Sequence, residues 1–196
     1  MRTNRLITNG KIAAYSETLV DNIVKEGGRE ALIEARRELR WIIRYMRSKP
    51  EFIQAIGDDS YTEEQESQLI HGVFEGFDPI VLEVVGYMAA KRDMQLLPRV
   101  FHAFDQRLFD NYDLVAVDVT TAVELDDHLR DVIRQKVKDE LGKDAIINER
   151  VNKDMLGGIV MSAQGKRIDA SVRAQLDRAR LTLKSTTTNT EVNASD

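Results

Sequence analysis

The stretch 151–171 constrains the fold more than any other part of the chain. Its continuous apolar run, residues 159–161, is typical of a strand that is buried on both faces. The dipeptide Gln164-Gly165 supplies a two-residue turn, because glycine tolerates positive φ, and residues 166–168 follow as the returning strand. Ser171 then stands where a helix N-cap belongs. The stretch therefore predicts a β-hairpin followed directly by an α-helix.

Two adjacent glycines, Gly157 and Gly158, come just before this apolar run. Paired glycines at the entrance of a strand mark either a bulge or a place where another backbone passes very close. We expect one of these two features here.

Length and composition limit the class of protein. A chain of 196 residues can form one large domain or two small ones. Its net charge of −5 is too mild to favour nucleic-acid binding, which normally requires a basic surface. Because the chain has no cysteine, disulfides, thiolate catalysis and cysteine-based zinc sites are excluded.

No segment of the sequence is long and apolar enough to span a bilayer. The most apolar run, residues 80–90, contains Glu83 and is shorter than the roughly 18–20 residues that a transmembrane helix requires. The first nine residues also lack the apolar region of a signal peptide. We therefore expect a soluble protein that associates with a membrane only through its partners.

Residues 1–109 predict an N-terminal all-α six-helix bundle, because apolar residues recur at helical spacing throughout. Gly27-Gly28 is expected to end the first helix. A capping box of Thr62 and Gln65 begins a later helix, and Asp78-Pro79 begins the next one.

Residues 113–184 predict a small C-terminal α/β domain with a mixed sheet and helices over it. Residues 114–121 alternate apolar with smaller or polar side chains, which indicates a strand. Asp126 can cap a helix that Gly142 ends, and residues 145–151 form the next predicted strand.

The end of the chain combines an amphipathic helix with a polar tail. The helix from Ser171 to Leu183 has a narrow apolar stripe, for which packing on the sheet is a sufficient explanation. The stripe comprises Val172, Leu176, Ala179 and Leu183. The tail, 185–196, has nothing to bury, so we expect it to be disordered or ordered only by a partner.

Candidate catalytic groups do not form a recognisable site. His71, His102 and His128 are far apart in sequence and match no metal-ligand spacing, so surface or structural roles are favoured. Neither Gly157-Gly158 nor Gly165-Lys166-Arg167 is a phosphate-binding loop, because the required Ser or Thr is missing. Asp126-Asp127 is a possible carboxylate pair, but a helix cap explains it. The sequence therefore favours neither a catalytic nor a metal site.

The second predicted helix has a basic surface made of arginines. We interpret this surface as a solvated face offset by acids such as Glu63, Glu64 or Glu66, with an acidic partner as the alternative. The arginines are Arg36, Arg37, Arg40, Arg44 and Arg47.

The first predicted helix has an apolar arc that is wider than one packing seam needs. Core packing explains most of it, but a groove for a partner's amphipathic helix would use such a surplus. The arc comprises Ile12, Ala13, Leu19, Val20, Ile23 and Val24.

The hairpin stretch resembles the C-terminal signature of the delta subunit of F-type ATP synthases, whose mitochondrial counterpart is the oligomycin-sensitivity-conferring subunit. The resemblance departs at Asn152, where Asp is common, and at Ala170, where the family usually has Gly. The second departure implies a less strained turn. The matching positions are Val151, Leu156, Gly157, Gly158, Ile159, Val160, Ile168, Asp169, Ser171, Val172, Arg173 and Leu176.

This resemblance implies a non-catalytic stator subunit without cofactor or metal. It implies that the chain links the b subunits of the peripheral stalk to the top of the alpha/beta catalytic headpiece and resists rotor torque. It further implies a peripheral position at the cytoplasmic face of the bacterial plasma membrane and no nucleic-acid partner. A soluble adaptor or regulatory binding protein and a small enzyme remain the alternatives.

The resemblance also suggests interface positions. The N-terminal helix of an alpha subunit is expected in a groove between the first and fifth helices, formed by Ile12, Tyr15, Ser16, Leu19, Val81, Val84, Val85 and Met88. The b subunits are expected at Val172, Leu176, Ala179 and Leu183.

Overall fold

The computed structural model describes residues 2–56 and 61–192, and the side chains of residues 5–56 and 61–183. The chain divides into two compact units, Met1–Tyr112 and Asp113–Asp196. Each unit is described by itself below.

The described part of the N-terminal unit consists of helices. They are α1 (Arg2–Ser48), α2 (Pro50–Ile56), α3 (Glu63–Val73), α4 (Pro79–Ala90), a short 3-10 helix (Met94–Leu96) and α5 (Leu97–Tyr112). The predicted bundle of six α-helices is not confirmed. The predicted break at Gly27-Gly28 is present, since α1 consists of two helical segments that meet at a kink. The kink is at Gly28, whose φ of 64° and ψ of −146° interrupt the helical backbone.

The predicted N-terminal caps of two helices in this unit are confirmed. Thr62 and Gln65 form a reciprocal capping box at the start of α3, with the Gln65 amide donating to the Thr62 hydroxyl. Asp78 caps α4 by accepting from the Ile80 amide at 2.8 Å, and Pro79 occupies the first helical position.

The core of the N-terminal unit forms where α1 packs against α4 and α5, and where α3 packs against α4. Apolar side chains from all of these helices are fully buried there. Among the largest are Leu19, Ile23, Leu32, Leu39, Ile70, Phe74, Met88, Leu97 and Phe104.

The C-terminal unit is an α/β structure with a mixed sheet, as predicted. Its elements are β1 (Leu114–Thr121), α6 (Asp127–Leu141), β2 (Asp144–Val151), β3 (Gly158–Ala163), β4 (Lys166–Ser171) and α7 (Val172–Val192). The strand order is β2-β1-β3-β4, with β1 parallel to β2 and the other pairs antiparallel. The α6 crossover follows β1 and allows β2 to pair with it in parallel.

The β1 strand is the most buried strand of this sheet. Val115, Val117 and Val119 alternate along it and are buried, and Val117 lies beside Ile133 and Val137 of α6. The helix itself begins at Asp126, which accepts from the Leu129 amide at 2.7 Å, and ends at Gly142 with φ of 67°.

The prediction that 159–161 is buried on both faces is wrong, because Ile159, Val160 and Met161 are only half-buried. A groove of about 400 Å³ remains between α6 and the β3–β4 hairpin, and Met161 lines it. Val160 faces a second hollow on the opposite side of the sheet. The apolar run is thus a half-covered strand.

The α7 helix continues to Val192 and therefore includes the first part of the tail that the sequence predicts to be disordered or partner-ordered. The rest of that predicted tail, 193–196, lies outside the described residues.

Candidate partner-binding surfaces

The two signature glycines allow β3 to pass very close to the start of α7. Gly158 has φ of 84°, and a methyl group in its place would lie 2.8 Å from Cα of Ser171 and 3.1 Å from N of Val172. The Val172 amide donates to the carbonyl of Gly157 at 3.0 Å. Of the two features expected here, the structure has the close backbone approach.

Asp169 and Ser171 fix the junction between β4 and α7. The Ser171 hydroxyl donates to Asp169 Oδ1 at 2.6 Å and accepts from the Ala174 amide at 3.3 Å, which is N-cap geometry. The hydroxyl and then the amide of Ser171 lower the pKa of the Asp169 carboxyl, with a smaller contribution from Arg167. These contacts give the family signature a structural role in positioning α7.

Most of the signature side chains border one hollow of about 600 Å³ on the sheet face that carries Asp118 and Thr120. Leu156, Gly157, Asp169, Ser171 and Arg173 all line it, whereas Gly158 and Ile159 do not. Leu156 is 78% exposed at its rim.

The apolar stripe of α7 is exposed, so packing on the sheet does not explain it. Val172 is 37% exposed, Leu176 is 59% exposed and Leu183 is 71% exposed, and Ala179 also faces solvent. The helix is held against β4 as far as Arg178, since Gln175 and Arg178 donate to the carbonyls of Ala170 and Asp169, yet the stripe itself stays exposed. The four predicted b-binding positions therefore form an accessible apolar row.

The predicted alpha-binding positions are placed differently. Ile12, Ser16, Leu19, Val81, Val84, Val85 and Met88 are buried, and Tyr15 alone among the eight is half-buried. Most of them lie in the core beside α4, whereas Ser16 faces α5, since its hydroxyl accepts from Arg107 Nε at 3.2 Å. Ile12 and Ser16 also line an open hollow between α1 and α5, so the eight positions combine core packing with one edge of a groove. Their role in binding the alpha subunit stays a prediction.

Tyr15 and Tyr87 form the accessible part of this α1–α4 seam. Their rings meet edge to face with centroids 6.2 Å apart, and Tyr87 is 56% exposed. Asp93 joins the seam by accepting from the Tyr15 hydroxyl at 2.8 Å and from Lys11 Nζ at 2.8 Å. Burial, together with the hydrogen bond to Asp93 and its charge, raises the pKa of the Tyr15 hydroxyl well above its usual range.

A hollow of about 620 Å³ lies between α1 and α5, and two predicted alpha-binding positions, Ile12 and Ser16, line it. Ala13 and Ala103 line it together with Pro98 and His102. The sequence did not indicate that α5 forms the other wall of this space.

The basic surface predicted on the second half of α1 does not include Arg36, the first of its predicted arginines. Arg36 is buried and donates from Nε to Asp105 Oδ1 at 2.6 Å, whereas Arg37, Arg44 and Arg47 are exposed. The acids that were expected to offset the arginines do not all do so. Glu63 pairs with Lys91 at 2.7 Å instead. Glu64 is exposed and Glu66 is buried in α3.

The histidines are placed as expected for surface residues. His71, His102 and His128 are exposed on α3, α5 and α6. Within the described residues, no group of three or more histidines and acids is arranged to hold a metal ion. None of the described helices combines the length and the apolar character needed to cross a bilayer.

Two separate units with exposed apolar helix surfaces are typical of a protein that binds other proteins. The sequence matches the family profile described as ATP synthase delta (OSCP) subunit over residues 13–183. The chain therefore belongs to the ATP synthase delta (OSCP) subunit family. This membership confirms the resemblance drawn from the signature.

Individual relatives agree with this assignment. ATP synthase subunit delta of Rubrobacter xylanophilus is 23% identical over 170 residues, which cover 86% of this chain and 93% of the relative. The subunit of Brucella suis biovar 1 is 28% identical over 174 residues, which cover 87% of each protein. The chain is thus a structural, non-catalytic subunit of ATP synthase and a component of its peripheral stalk.

A solved structure supports the fold. A chain in the cryo-EM structure of the Toxoplasma gondii mitochondrial ATP synthase hexamer superposes with a TM-score of 0.55. The alignment covers 88% of this chain and 96% of that chain at 16% identity, so it demonstrates a shared fold alone.

Proposed function

We propose that this chain connects the b subunits of the peripheral stalk to the top of the alpha/beta headpiece of a proton-translocating F-type ATP synthase. The C-terminal unit binds the b subunits, and the N-terminal unit binds the N-terminal helix of an alpha subunit. In this proposal the N-terminal unit acts as a six-helix bundle, with the two halves of α1 on either side of Gly28 counted separately. The complex lies at the bacterial plasma membrane, where this chain is peripheral on the cytoplasmic face.

The observation that carries the proposal is the exposed apolar row of α7. Positions 172, 176, 179 and 183 follow the alternating spacing of four and three residues that forms a helix–helix seam. Each leucine that becomes buried in such a seam contributes about 2 kcal/mol. A helix of a b subunit is an occupant with the matching geometry.

For the headpiece side, we propose that the alpha helix lies across the α1–α4 seam. Tyr15 and Tyr87 make the direct contacts, since they are the accessible rings of that seam. In this proposal buried residues such as Leu19 and Met88 do not contact the alpha helix directly. They hold α1 and α4 together beneath the two rings.

The role in synthesis is mechanical. A turning rotor drags on the headpiece, and ATP synthesis requires that the headpiece does not follow. The connector must stay bound under torque, which favours buried apolar interfaces with slow dissociation.

The proposal is tested with the full-length chain, a soluble b fragment and a peptide of the alpha N-terminus. The double variant Leu176→Asp/Leu183→Asp should lose the b fragment and retain the alpha peptide, and Tyr87→Asp should show the reverse pattern. Val132→Asp is the matched control, since Val132 is an exposed apolar residue on α6. If calorimetry showed that the parent chain binds neither the b fragment nor the alpha peptide, the proposal would be overturned.

A further inference from the structure

We infer that the second half of α1 carries a separate docking surface for an acidic, amphipathic helical segment of a partner protein. This Trp41 surface consists of Trp41 and Tyr45 with the arginines Arg37, Arg44 and Arg47. It uses neither α7 nor the α1–α4 seam, so it is independent of the connector role proposed above.

Trp41 is an exposed ring held in a fixed position. Its side chain is 47% exposed, and it stacks on Tyr45 with centroids 5.4 Å apart and an interplanar angle of 14°. Edge contacts at 5.8 Å to Phe74 and 5.6 Å to Phe77 support it from the segment that follows α3. Because the ring is already ordered by its neighbours, binding at Trp41 costs little side-chain entropy.

The charge around Trp41 is positive although the chain is net negative at −5. Arg37 and Arg44 stand four residues before and three residues after Trp41, which places them on the same helix face. Glu38 lies three residues before Trp41, but its carboxylate accepts from the Asp78 amide, and residues 39–50 contain three arginines and a lysine and no acidic residue. Arg37 pairs with Glu34, whereas Arg44 and Arg47 make no ion pair with any residue that the structure describes.

This combination favours a protein helix over other anionic partners. Tryptophan, tyrosine and arginine are the residues most enriched at the centres of protein interfaces. A single exposed indole beside half-buried rings makes a narrow apolar strip, which fits one row of apolar side chains. A membrane surface would require a broad apolar face, and duplex nucleic acid would require a wider positive field than this acidic chain supplies.

The test uses the intrinsic fluorescence of Trp41, because it is the only tryptophan of the chain. The probe is a synthetic helix of about 18 residues, long enough to be helical, with a leucine row flanked by glutamates. We expect a saturable blue shift of the Trp41 emission that weakens with salt. The same helix with lysines in place of the glutamates should give no shift.

Variants separate this surface from non-specific binding. Arg44→Glu/Arg47→Glu should weaken binding about thirty-fold, because charged anchors at the centre of an interface dominate affinity. Arg134→Glu, an exposed helical arginine of α6, should leave binding unchanged. Trp41→Ala should also lose binding, measured by the anisotropy of labelled peptide.

Several outcomes would overturn the inference. They are no shift with the acidic helix, equal affinity in Arg44→Glu/Arg47→Glu, and a shift with phosphatidylserine vesicles or duplex DNA in place of the peptide. A shift that depends only on the concentration of the chain itself would assign the surface to a second copy instead.

Discussion

At the scale of single residues, Arg36 shows what helical spacing does not reveal. Its position in a row of arginines predicts solvent exposure, yet its side chain is only 4% exposed. It makes two hydrogen bonds to Asp105, at 2.6 and 2.9 Å, and lies 5.2 Å from the centre of the Phe101 ring. The acid and the ring come from α5, far away in sequence, so the α1 sequence could not predict the pairing.

Removing the partner of Arg36 should be costly. We expect Asp105→Ala to lower the free energy of unfolding by about 3 kcal/mol, because it removes the carboxylate that pairs with a buried guanidinium. Asp110→Ala, an exposed acid on the same helix, should change it by less than about 0.5 kcal/mol. Urea unfolding followed by circular dichroism measures both, and equal effects would contradict the structural role of the pair.

Gly158 should tolerate no side chain. We expect Gly158→Ala to destabilise the C-terminal unit by about 2–4 kcal/mol, from positive φ and from overlap with the backbone at Ser171. Gly165→Ala shares the positive φ, but its methyl group meets no described atom within 4 Å, so it should cost about 1 kcal/mol. Hydrogen exchange of the sheet amides reports the difference, and similar protection in the two variants would argue against the close approach.

Glu149 should make stability depend on pH. The Leu125 amide and then the Arg130 side chain donate to its carboxylate and lower the pKa of Glu149. A lowered pKa in the folded state adds stability that is complete above the unfolded pKa of about 4.3 and is lost as pH falls through the folded value. The urea midpoint of Glu149→Gln should therefore lie below that of the parent at pH 7, and the gap should close on acidification.

The matched control for this titration is Glu124→Gln, which changes an exposed acid on the loop before α6. Its urea midpoint should follow that of the parent at every pH. A gap for Glu149→Gln that stays constant down to strongly acidic pH would show that the carboxylate charge is not responsible.

At the scale of elements, the β3–β4 turn can be improved. Gln164 and Gly165 both have positive φ, 47° and 75°, which is the geometry of a type I′ turn. Asparagine tolerates this conformation better than glutamine, so Gln164→Asn should raise the free energy of unfolding by about 0.5 kcal/mol. Gln164→Val should lower it by about 1 kcal/mol. Thermal unfolding checks both, and the reverse order would contradict the turn assignment.

The elements also show which features can be predicted from sequence. The Thr62 capping box, the Asp126 cap and the Gln164-Gly165 turn depend on residues close together in the chain, so local chemistry was sufficient. The burial of β3 and the exposure of the α7 stripe depend on what covers them, and an apolar pattern does not specify its partner. The role of the alpha-binding positions stays a prediction, since most of them are buried in the core and Ile12 and Ser16 line a hollow.

At the scale of the whole molecule, each unit has its own buried core. We expect the fragment 1–112 to unfold cooperatively by itself, because Leu19, Leu32 and Phe104 are fully buried among residues of that unit. A sigmoidal urea transition of the fragment, monitored by helical circular dichroism, is the expected result. A gradual loss of signal would show that its core depends on the rest of the chain.

The uncovered leucines of α7 have a consequence for the cell. A newly synthesised copy that has not yet bound its partner subunits exposes these apolar side chains to water, which favours aggregation and proteolysis. We therefore expect surplus copies to be degraded, so that the amount of this chain follows the supply of the protein that covers α7.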